Sequence, residues 1–223
     1  RYGLTREQLA QIALTDRAHA LLNPRALVRE PLTMEQYLSA RMIATPLCLY
    51  DCDRYSDAST VLIVSAGSAI DEVKCTPIRI AAMAGTVERH SWDQAEWMAC
   101  YPTGADLWKR TDYTAADVDT AQLYDGFSFQ ALAWLEALGF CEVGEGGRFI
   151  EGGKRIALDG ELPLNTFGGQ LGAGRLHGFG FAHEAVVQLR GLGGARQVPG
   201  DPRVAVCASG GGPLATALLL ARD

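Results

Sequence analysis

Residues 165–180 read NTFGGQLGAGRLHGFG, and this stretch says more about the fold than any other part of the 223-residue chain. Six glycines fall within it, and glycine permits positive φ angles and close approach of the backbone to a ligand. A phosphate-binding loop is excluded because no Lys-Ser or Lys-Thr pair follows the glycines, and the dinucleotide fingerprint does not fit either. Strand patterns flank the stretch and a helix pattern follows it. This arrangement favours an ordered loop over a flexible surface loop.

Helix and strand patterns alternate along the rest of the chain. A capping box at Thr5 predicts a first helix that ends at Asn23, and Thr33 is the candidate cap of a second helix. Amphipathic spacing predicts two more helices, over 127–140 and 183–190. Apolar runs predict strands, the first of them buried on both faces, over 60–64, 78–85, 121–125, 203–207 and 213–221. Alternation of this kind predicts an α/β fold, with an irregular loop at 46–56 and a linker at 71–77.

Composition and charge exclude several classes of function. The chain has 20 basic and 26 acidic residues, a net charge of −6 and a pI near 5.3. It therefore lacks the excess of positive charge that binds the phosphate backbone of a nucleic acid. No apolar run approaches the ~20 residues of a membrane span. Six dispersed cysteines predict free thiols and a cytoplasmic protein. Cys48 and Cys52 are four residues apart, but no second pair has ligand spacing, so no metal site and no cofactor are predicted.

The 165–180 stretch resembles the second signature of the thiolase superfamily, Asn-x-x-Gly-Gly followed by Gly-His-Pro-x-Gly. Three other segments match that superfamily in the same order: residues 21–52, LYDGF at 123–127 and SGGG at 209–212. The chain is most similar to the lipid-transfer-protein group, or sterol-carrier type, which includes thiolase-like aldolases that shorten steroid side chains. The resemblance covers the whole chain.

This resemblance implies a fold and an assembly. Thiolases have two similar halves, each a mixed five-stranded sheet layered with helices, so residues 1–72 would be the tail of the first half and 73–223 the complete second half. The chain begins at Arg1 without a Met, and further N-terminal residues are expected. A lone second half would expose an apolar face. The implied partners are a second copy in a homodimer and a small OB-fold/zinc-ribbon acyl-CoA-binding protein.

Departures from the thiolase pattern remove groups needed for Claisen chemistry. The nucleophilic cysteine of the family precedes this chain, and the His of the Gly-His-Pro motif falls on Arg175, whose guanidinium cannot act as a general base. The second cysteine falls on Ala208 or Ser209. The alternative acid/base cysteine of the sterol-carrier type falls on Gly126.

Tyr124 differs from the residue of the thiolase pattern in a way that favours a retro-aldol reaction over Claisen chemistry. In the aldolases that this chain resembles, a Tyr in Leu-Tyr-Asp takes part in proton transfer. A retro-aldol reaction needs a base for the β-hydroxyl proton and a stabiliser for the thioester enolate. Tyr124 would serve as the base if a cation lowered its pKa, and Arg175 is the candidate cation. The alternative is that Tyr124 is a core aromatic residue.

The other candidate residues lie in the glycine loops. His177 is as consistent with a structural role as with a catalytic one, and Asp125 is expected to orient backbone or to cap the following helix. Asn165 is expected to fix the loop through Asx-type hydrogen bonds. The predicted substrate and oxyanion loops comprise Asn165, Gly168, Gly169, Gly210 and Gly211, and Gly168 and Gly169 would let a backbone N–H point at a thioester oxygen.

Three functions therefore compete. The first is an aldolase or lyase acting on an acyl-CoA with a large ring substituent, in steroid or lipid degradation. The second is an acetyl-CoA acyltransferase whose nucleophile lies outside the chain, and the third is a non-catalytic subunit that binds lipid or a partner. An aromatic segment is interpreted as a satellite core cluster or as the lining for a bulky apolar substrate, and it comprises Trp92, Trp97, Tyr101 and Trp108.

Overall fold

The computed structural model describes residues 2–88 and 98–223. The helices are α1 (Arg6–Leu22), α2 (Met34–Leu38), α3 (Cys100–Trp108), α4 (Ser128–Ala137), α5 (Gly146–Phe149) and α6 (Phe179–Leu189). The strands are β1 (Met42–Ala44), β2 (Leu47–Cys48), β3 (Arg79–Val87), β4 (Thr120–Gln122), β5 (Val204–Gly210) and β6 (Leu214–Ala221). In the ranges that the structure describes, no helix is both long and apolar enough to cross a membrane.

The first two helices begin where their sequences predict. At the start of α1, the Thr5 hydroxyl accepts a hydrogen bond from the Gln8 N–H at 3.1 Å, and the Gln8 side chain accepts one from the Thr5 N–H at 3.1 Å. Thr33 and Gln36 form the same capping box at the start of α2. These reciprocal bonds satisfy backbone N–H groups that have no partner within the helix, and both predicted helix starts are confirmed.

A mixed sheet in the order β3-β6-β5-β4 forms the centre of the fold. Strands β4 and β5 are parallel, whereas the β3–β6 and β5–β6 pairs are antiparallel. The predicted α/β class with a mixed sheet is confirmed. Among the described residues this sheet has four strands where five were expected, and Leu164 adds only a single bridge to Ala121. Pro163 has no N–H for a strand ladder, and Asn165 has a φ of 50°, which ends the extended backbone.

The two faces of the sheet form two hydrophobic cores. Along β5, Val204 and Val206 face the larger core with α1, α3 and α4, whereas Ala205 and Cys207 face α6. This alternation follows from the two-residue period of a strand. Helix α1 shares the larger core with α4, so the segments on either side of the predicted domain boundary at residue 72 pack together. The boundary itself stays a prediction.

The prediction of a buried strand at 60–64 is wrong. The segment has no regular secondary structure, and Val61, Ile63 and Val64 are 80%, 93% and 75% exposed. A β-branched run becomes a strand only when a neighbouring strand pairs with its backbone, and no segment in 2–88 or 98–223 pairs with it in this way.

The segment 46–56 is more regular than the loop that was predicted. Strands β1 and β2 form a short antiparallel pair, and residues 49–51 form a helical turn. Buried Asp51 holds this segment, because its carboxylate accepts hydrogen bonds from the hydroxyls of Tyr37 and Ser128 at 2.5 Å each and from the Cys48 N–H at 2.7 Å. The predicted linker at 71–77 likewise begins inside a helical turn that spans Gly67–Glu72.

Two members of the aromatic segment belong to the core. The Tyr101 hydroxyl donates to Glu136 at 3.1 Å, and the Trp108 indole N–H donates to the Leu138 carbonyl at 3.0 Å. Both rings pack against the larger core. The core interpretation is therefore confirmed for these two residues, whereas Trp92 and Trp97 lie outside the described residues.

Candidate active site

The glycine-rich loop is fixed to the end of β4 by Asn165. The Asn165 side-chain oxygen accepts a hydrogen bond from the Leu123 N–H at 2.7 Å, and the Asn165 N–H donates to the Ala121 carbonyl at 2.9 Å. The residue adopts a positive φ of 50°, a conformation in which asparagine is enriched. The side-chain bond joins two segments and does not close a turn within the loop as expected. Asn165 still determines where the loop begins.

Asp125 shapes the next part of the loop. Residues Gly169–Ala173 form a wide helical turn, and the Asp125 carboxylate accepts hydrogen bonds from the Gln170 and Leu171 N–H groups at 2.9 and 3.0 Å. The expectation that Asp125 orients backbone is confirmed. Because both oxygens accept backbone hydrogen bonds and the residue is fully buried, Asp125 has a structural role: it holds the backbone of the glycine-rich loop in place.

The Gly168 N–H is occupied within the loop. It donates to the Asn165 carbonyl at 2.8 Å and is not available to a substrate oxygen. A Cβ at Gly168 would lie 2.6 Å from Ala20 Cβ, and a Cβ at Gly169 would overlap the Asp125 carboxylate. Both glycines therefore allow the loop to pack closely against α1 and Asp125.

Asp16 of α1 lies against Asp125, and the two form a buried carboxyl pair. Burial raises the pKa of Asp125 to about 6, although its hydrogen bond with Asp16 and those from backbone N–H groups lower it in part. Burial and the charge of Asp125 raise the pKa of Asp16 well above its usual value. Both carboxyl groups therefore hold their protons to higher pH than an exposed Asp, while the Gln170 and Leu171 N–H groups favour the charged form of Asp125.

This pair predicts how stability changes with pH. Between pH 3.8, the usual value for an Asp, and about pH 6, the folded state retains protons that the unfolded state has released. The free energy of unfolding therefore falls as pH rises through this window, by about 1.4 kcal/mol per pH unit for each proton retained. Denaturant titrations of the wild type and Asp16→Asn between pH 4 and pH 7 measure the effect. We expect a smaller fall in the variant, and equal slopes for the two proteins would contradict the assignment.

Tyr124 lies two residues past β4 and is half-buried beside the Phe181 ring, with ring centroids 6.2 Å apart. Burial raises its pKa above the usual value of 10, although the Gln170 side chain and the Arg175 charge lower it in part. The expectation that Arg175 makes Tyr124 a base is therefore wrong, because desolvation outweighs the cation. At neutral pH the phenol keeps its proton and acts as a donor.

Gly126 provides the space for the Tyr124 ring. A Cβ at Gly126 would lie 2.5 Å from Tyr124 Cε1 and 3.0 Å from its hydroxyl oxygen, closer than side-chain atoms approach each other. A cysteine at position 126 would displace the phenol from its present position. The loss of the family's acid/base cysteine and the presence of Tyr124 are thus two parts of one rearrangement.

Arg175 contacts a carboxylate that the sequence did not indicate as a site residue. Its Nη1 atom lies 3.4 Å from both Oδ1 and Oδ2 of Asp53, and its guanidinium lies over the Tyr55 ring at 4.7 Å from the centroid. The Asp53 N–H donates to the Gly126 carbonyl at 3.1 Å, which attaches the Asp53 backbone to the turn after Tyr124, and the Asp53 charge acts on the Tyr124 hydroxyl. Asp53 and Arg175 are 122 positions apart in the chain, and nothing in their spacing signals the pair.

His177 and Ser209 line a neighbouring cavity. The cavity has a volume of about 270 Å³, and its other walls are mainly apolar, including Leu62, Phe179 and Leu218. The His177 N–H donates to the Gln170 side chain at 3.0 Å, and the Ser209 hydroxyl donates to the His177 carbonyl at 3.3 Å. The structure therefore places His177 at the cavity wall, whereas Tyr124, Arg175 and Asp53 are not among the lining residues. His177 interacts electrostatically with Asp53, which relates the cavity to the Asp53–Arg175 pair.

Gly210 and Gly211 form the turn that joins β5 to β6. The Gly210 carbonyl accepts a hydrogen bond from the Trp134 indole at 3.0 Å, and the Gly211 N–H donates to the Leu214 carbonyl at 2.9 Å. The Gly211 N–H is therefore not available to a thioester oxygen, contrary to expectation. The turn positions the adjacent Ser209 at the cavity.

Comparison with known proteins identifies the family. The family model described as thiolase C-terminal domain-like matches residues 84–221. The chain is 36% identical to a 17-hydroxy-3-oxo-4-pregnene-20-carboxyl-CoA lyase of Mycobacterium tuberculosis, over 97% of this chain and 58% of the relative. It is 36% identical to an acetyl-CoA acetyltransferase of Methanothermobacter thermautotrophicus, over 89% of this chain and 54% of the relative.

A solved structure gives the same result. The structure of an Ltp2-ChsH2(DUF35) aldolase superposes with a TM-score of 0.88 at 31% identity, covering 100% of this chain and 60% of that chain. The chain thus spans less than two thirds of the length of these relatives. The loop at 165–180, the LYDGF segment and the final glycine turn all occupy one site in a shared fold, and the chain belongs to the thiolase family, with residues 84–221 forming its C-terminal domain-like part.

Proposed function

We propose that the protein containing this chain is a carbon–carbon lyase that cleaves a β-hydroxyacyl-CoA by a retro-aldol reaction. The observation that carries this proposal is the protonated Tyr124 phenol, which stands beside the Asp53–Arg175 pair at the site where the thiolase cysteines are replaced. The M. tuberculosis relative, at 36% identity over 97% of this chain, is a lyase with a CoA-linked substrate.

The proposed reaction needs two proton transfers. A base removes the β-hydroxyl proton, the carbon–carbon bond breaks, and the departing thioester becomes an enolate. A phenol that keeps its proton at neutral pH is suited to protonating this enolate at carbon, and we assign that role to Tyr124. The permanently charged Arg175 stabilises negative charge nearby. His177 contacts the bound substrate at the cavity wall in this proposal.

The substrate is proposed to carry a large apolar ring on its β-carbon. Leu62, Phe179 and Leu218 give the cavity apolar walls, and His177, Ser209 and Thr216 contribute polar groups. Ligand pockets with this distribution bind an apolar body and orient it by a few polar contacts. The M. tuberculosis relative is named as a lyase of a pregnene carboxyl-CoA, and a relative of Thermomonospora curvata is named as a steroid side-chain-cleaving aldolase. These names support a steroid or a related lipid as the proposed substrate.

The proposed assembly follows the same relatives. We propose a homodimer that associates with a small OB-fold/zinc-ribbon acyl-CoA-binding protein. The similarity to the Ltp2-ChsH2(DUF35) aldolase structure supports a second, different subunit. No cofactor other than the CoA of the substrate takes part in the proposed mechanism. All six cysteines have free thiols, which supports a reducing compartment, and we place the protein in the cytoplasm.

The test is a comparison of two substrate types on the purified protein, with and without the small partner protein. One substrate is a β-hydroxyacyl-CoA with a fully substituted ring carbon at the β-position, and the other is a β-ketoacyl-CoA supplied with free CoA. We expect cleavage of the first to a ketone and a shortened acyl-CoA. Cleavage of the second alone would favour an acyltransferase, and binding without cleavage of either would favour the non-catalytic subunit.

A further inference from the structure

The proposed reaction requires a proton acceptor, and the residues around Tyr124 restrict the choice. Arg175 remains charged and has no acceptor atom. Burial keeps Tyr124 protonated. Asp125 is fully buried, and its oxygens accept the Gln170 and Leu171 N–H groups. Asp53 and His177 are left as candidates beside the site.

The contact between Asp53 and Arg175 leaves the carboxylate free to accept a proton. A single nitrogen, Nη1, lies 3.4 Å from both carboxylate oxygens, whereas strong charge-assisted hydrogen bonds are about 2.7–2.9 Å long. The same chain contains a tight structural pair for comparison. Arg196 donates through Nε and Nη2 to the two oxygens of Glu184 at 2.9 Å each. The Asp53 contact lacks this two-nitrogen fork.

Asp53 is also held at the right place in the site. Its N–H donates to the Gly126 carbonyl at 3.1 Å, so its backbone is attached to the turn that follows Tyr124. Its side chain is 12% exposed, so most of the carboxylate is shielded from bulk water and a small part remains accessible. The charged and titratable groups that act on Asp53 or respond to its charge are Arg175, His177, Tyr124 and Cys52.

We propose that Asp53 is the general base that takes the proton from the substrate β-hydroxyl, an inference that rests on the retro-aldol function above. The electrons of the O–H bond form the carbonyl of the new ketone, and the carbon–carbon bonding pair passes to the thioester as an enolate. Tyr124 protonates the enolate carbon. The proton held by Asp53 then restores the Tyr124 phenol, so a turnover neither consumes nor releases a proton. Arg175 is a positioning residue that keeps Asp53 ionised.

The first experiment measures cleavage of the β-hydroxyacyl-CoA by Asp53→Asn, with exposed Asp57→Asn as the matched control. We expect kcat of Asp53→Asn to fall by at least about 100-fold, the usual contribution of a general base, while Asp57→Asn retains wild-type activity. Added formate should restore part of the activity of Asp53→Ala in proportion to its concentration. A residue that only holds Arg175 in place would not be rescued by a small base.

A second measurement does not depend on how an Asp53 variant folds. Burial raises the pKa of Asp53, and the Arg175 charge lowers it in part. Removing that cation in Arg175→Gln should therefore move the acidic limb of the kcat/KM profile to higher pH. An unmoved limb would overturn the assignment to Asp53.

The outcomes separate the two proposals. Failure of both the wild type and Asp57→Asn to cleave the hydroxy substrate would overturn the proposed function together with the inference. Cleavage by Asp53→Asn at a rate near that of the control would overturn the inference alone and leave His177 as the base. Loss of cleavage with formate rescue supports both.

Discussion

Replacing Tyr124 with phenylalanine is expected to lower kcat for carbon–carbon cleavage by about 100- to 10,000-fold, the range for loss of a positioned proton donor. The phenol is the group that protonates the enolate, and phenylalanine keeps the ring but removes the proton. The ring packs against Phe181, so the variant should retain its fold. Steady-state kinetics on the β-hydroxyacyl-CoA, with a thermal unfolding curve of each protein, measure both effects.

Tyr113→Phe is the matched control for this variant. Tyr113 is also partly buried, and its hydroxyl lies 3.5 Å from Arg79 at the edge of the sheet, remote in the sheet order from β4. We expect this variant to cleave substrate at the wild-type rate. If Tyr124→Phe also retained wild-type activity, Tyr124 would be a core aromatic residue without a role in proton transfer.

Replacing Gly169 with alanine is expected to reduce the free energy of unfolding by about 2–5 kcal/mol, because two separate penalties add. The residue has a φ of 58°, and a left-handed conformation costs a residue with a Cβ about 1–2 kcal/mol. The new methyl group would also overlap the Asp125 carboxylate, and overpacking costs about 1–3 kcal/mol. Urea titration measures the change.

Gly152→Ala separates these penalties. Gly152 has a φ of 71°, and a Cβ there would meet no atom within 4 Å. This variant should therefore lose only the conformational part, about 1–2 kcal/mol. Equal losses in the two variants would contradict the close packing of the loop on Asp125.

Local sequence determined the parts of the fold that were predicted correctly. The Thr5 and Thr33 capping boxes each lie within four residues, so their hydrogen bonds can be inferred from spacing alone. Strands β5 and β6 are apolar runs joined by a glycine turn and pair antiparallel with each other, which again needs only local information. The expectation that Asp125 orients backbone is also confirmed, but its partners Gln170 and Leu171 lie 45 and 46 positions away, so they could not be named from the sequence.

The errors arose where long-range packing decides the outcome. Residues 60–64 have the composition of a buried strand, but whether they form one depends on a partner strand elsewhere. The contact between Asp53 and Arg175 joins positions 122 residues apart and appears only once the chain has folded. The pKa of Tyr124 was misjudged because a nearby cation can be inferred from sequence, whereas the extent of desolvation depends on how the whole site is packed.

The proposed function requires that the protein cleave a carbon–carbon bond without transferring an acyl group to free CoA. The most direct measurement is mass spectrometry of the products from the β-hydroxyacyl-CoA in the complete absence of free CoA. We predict equal amounts of a ketone and one shortened acyl-CoA, formed by the wild type and not by Tyr124→Phe. Cleavage that requires added CoA and yields two acyl-CoA products would contradict the retro-aldol function and identify an acyltransferase.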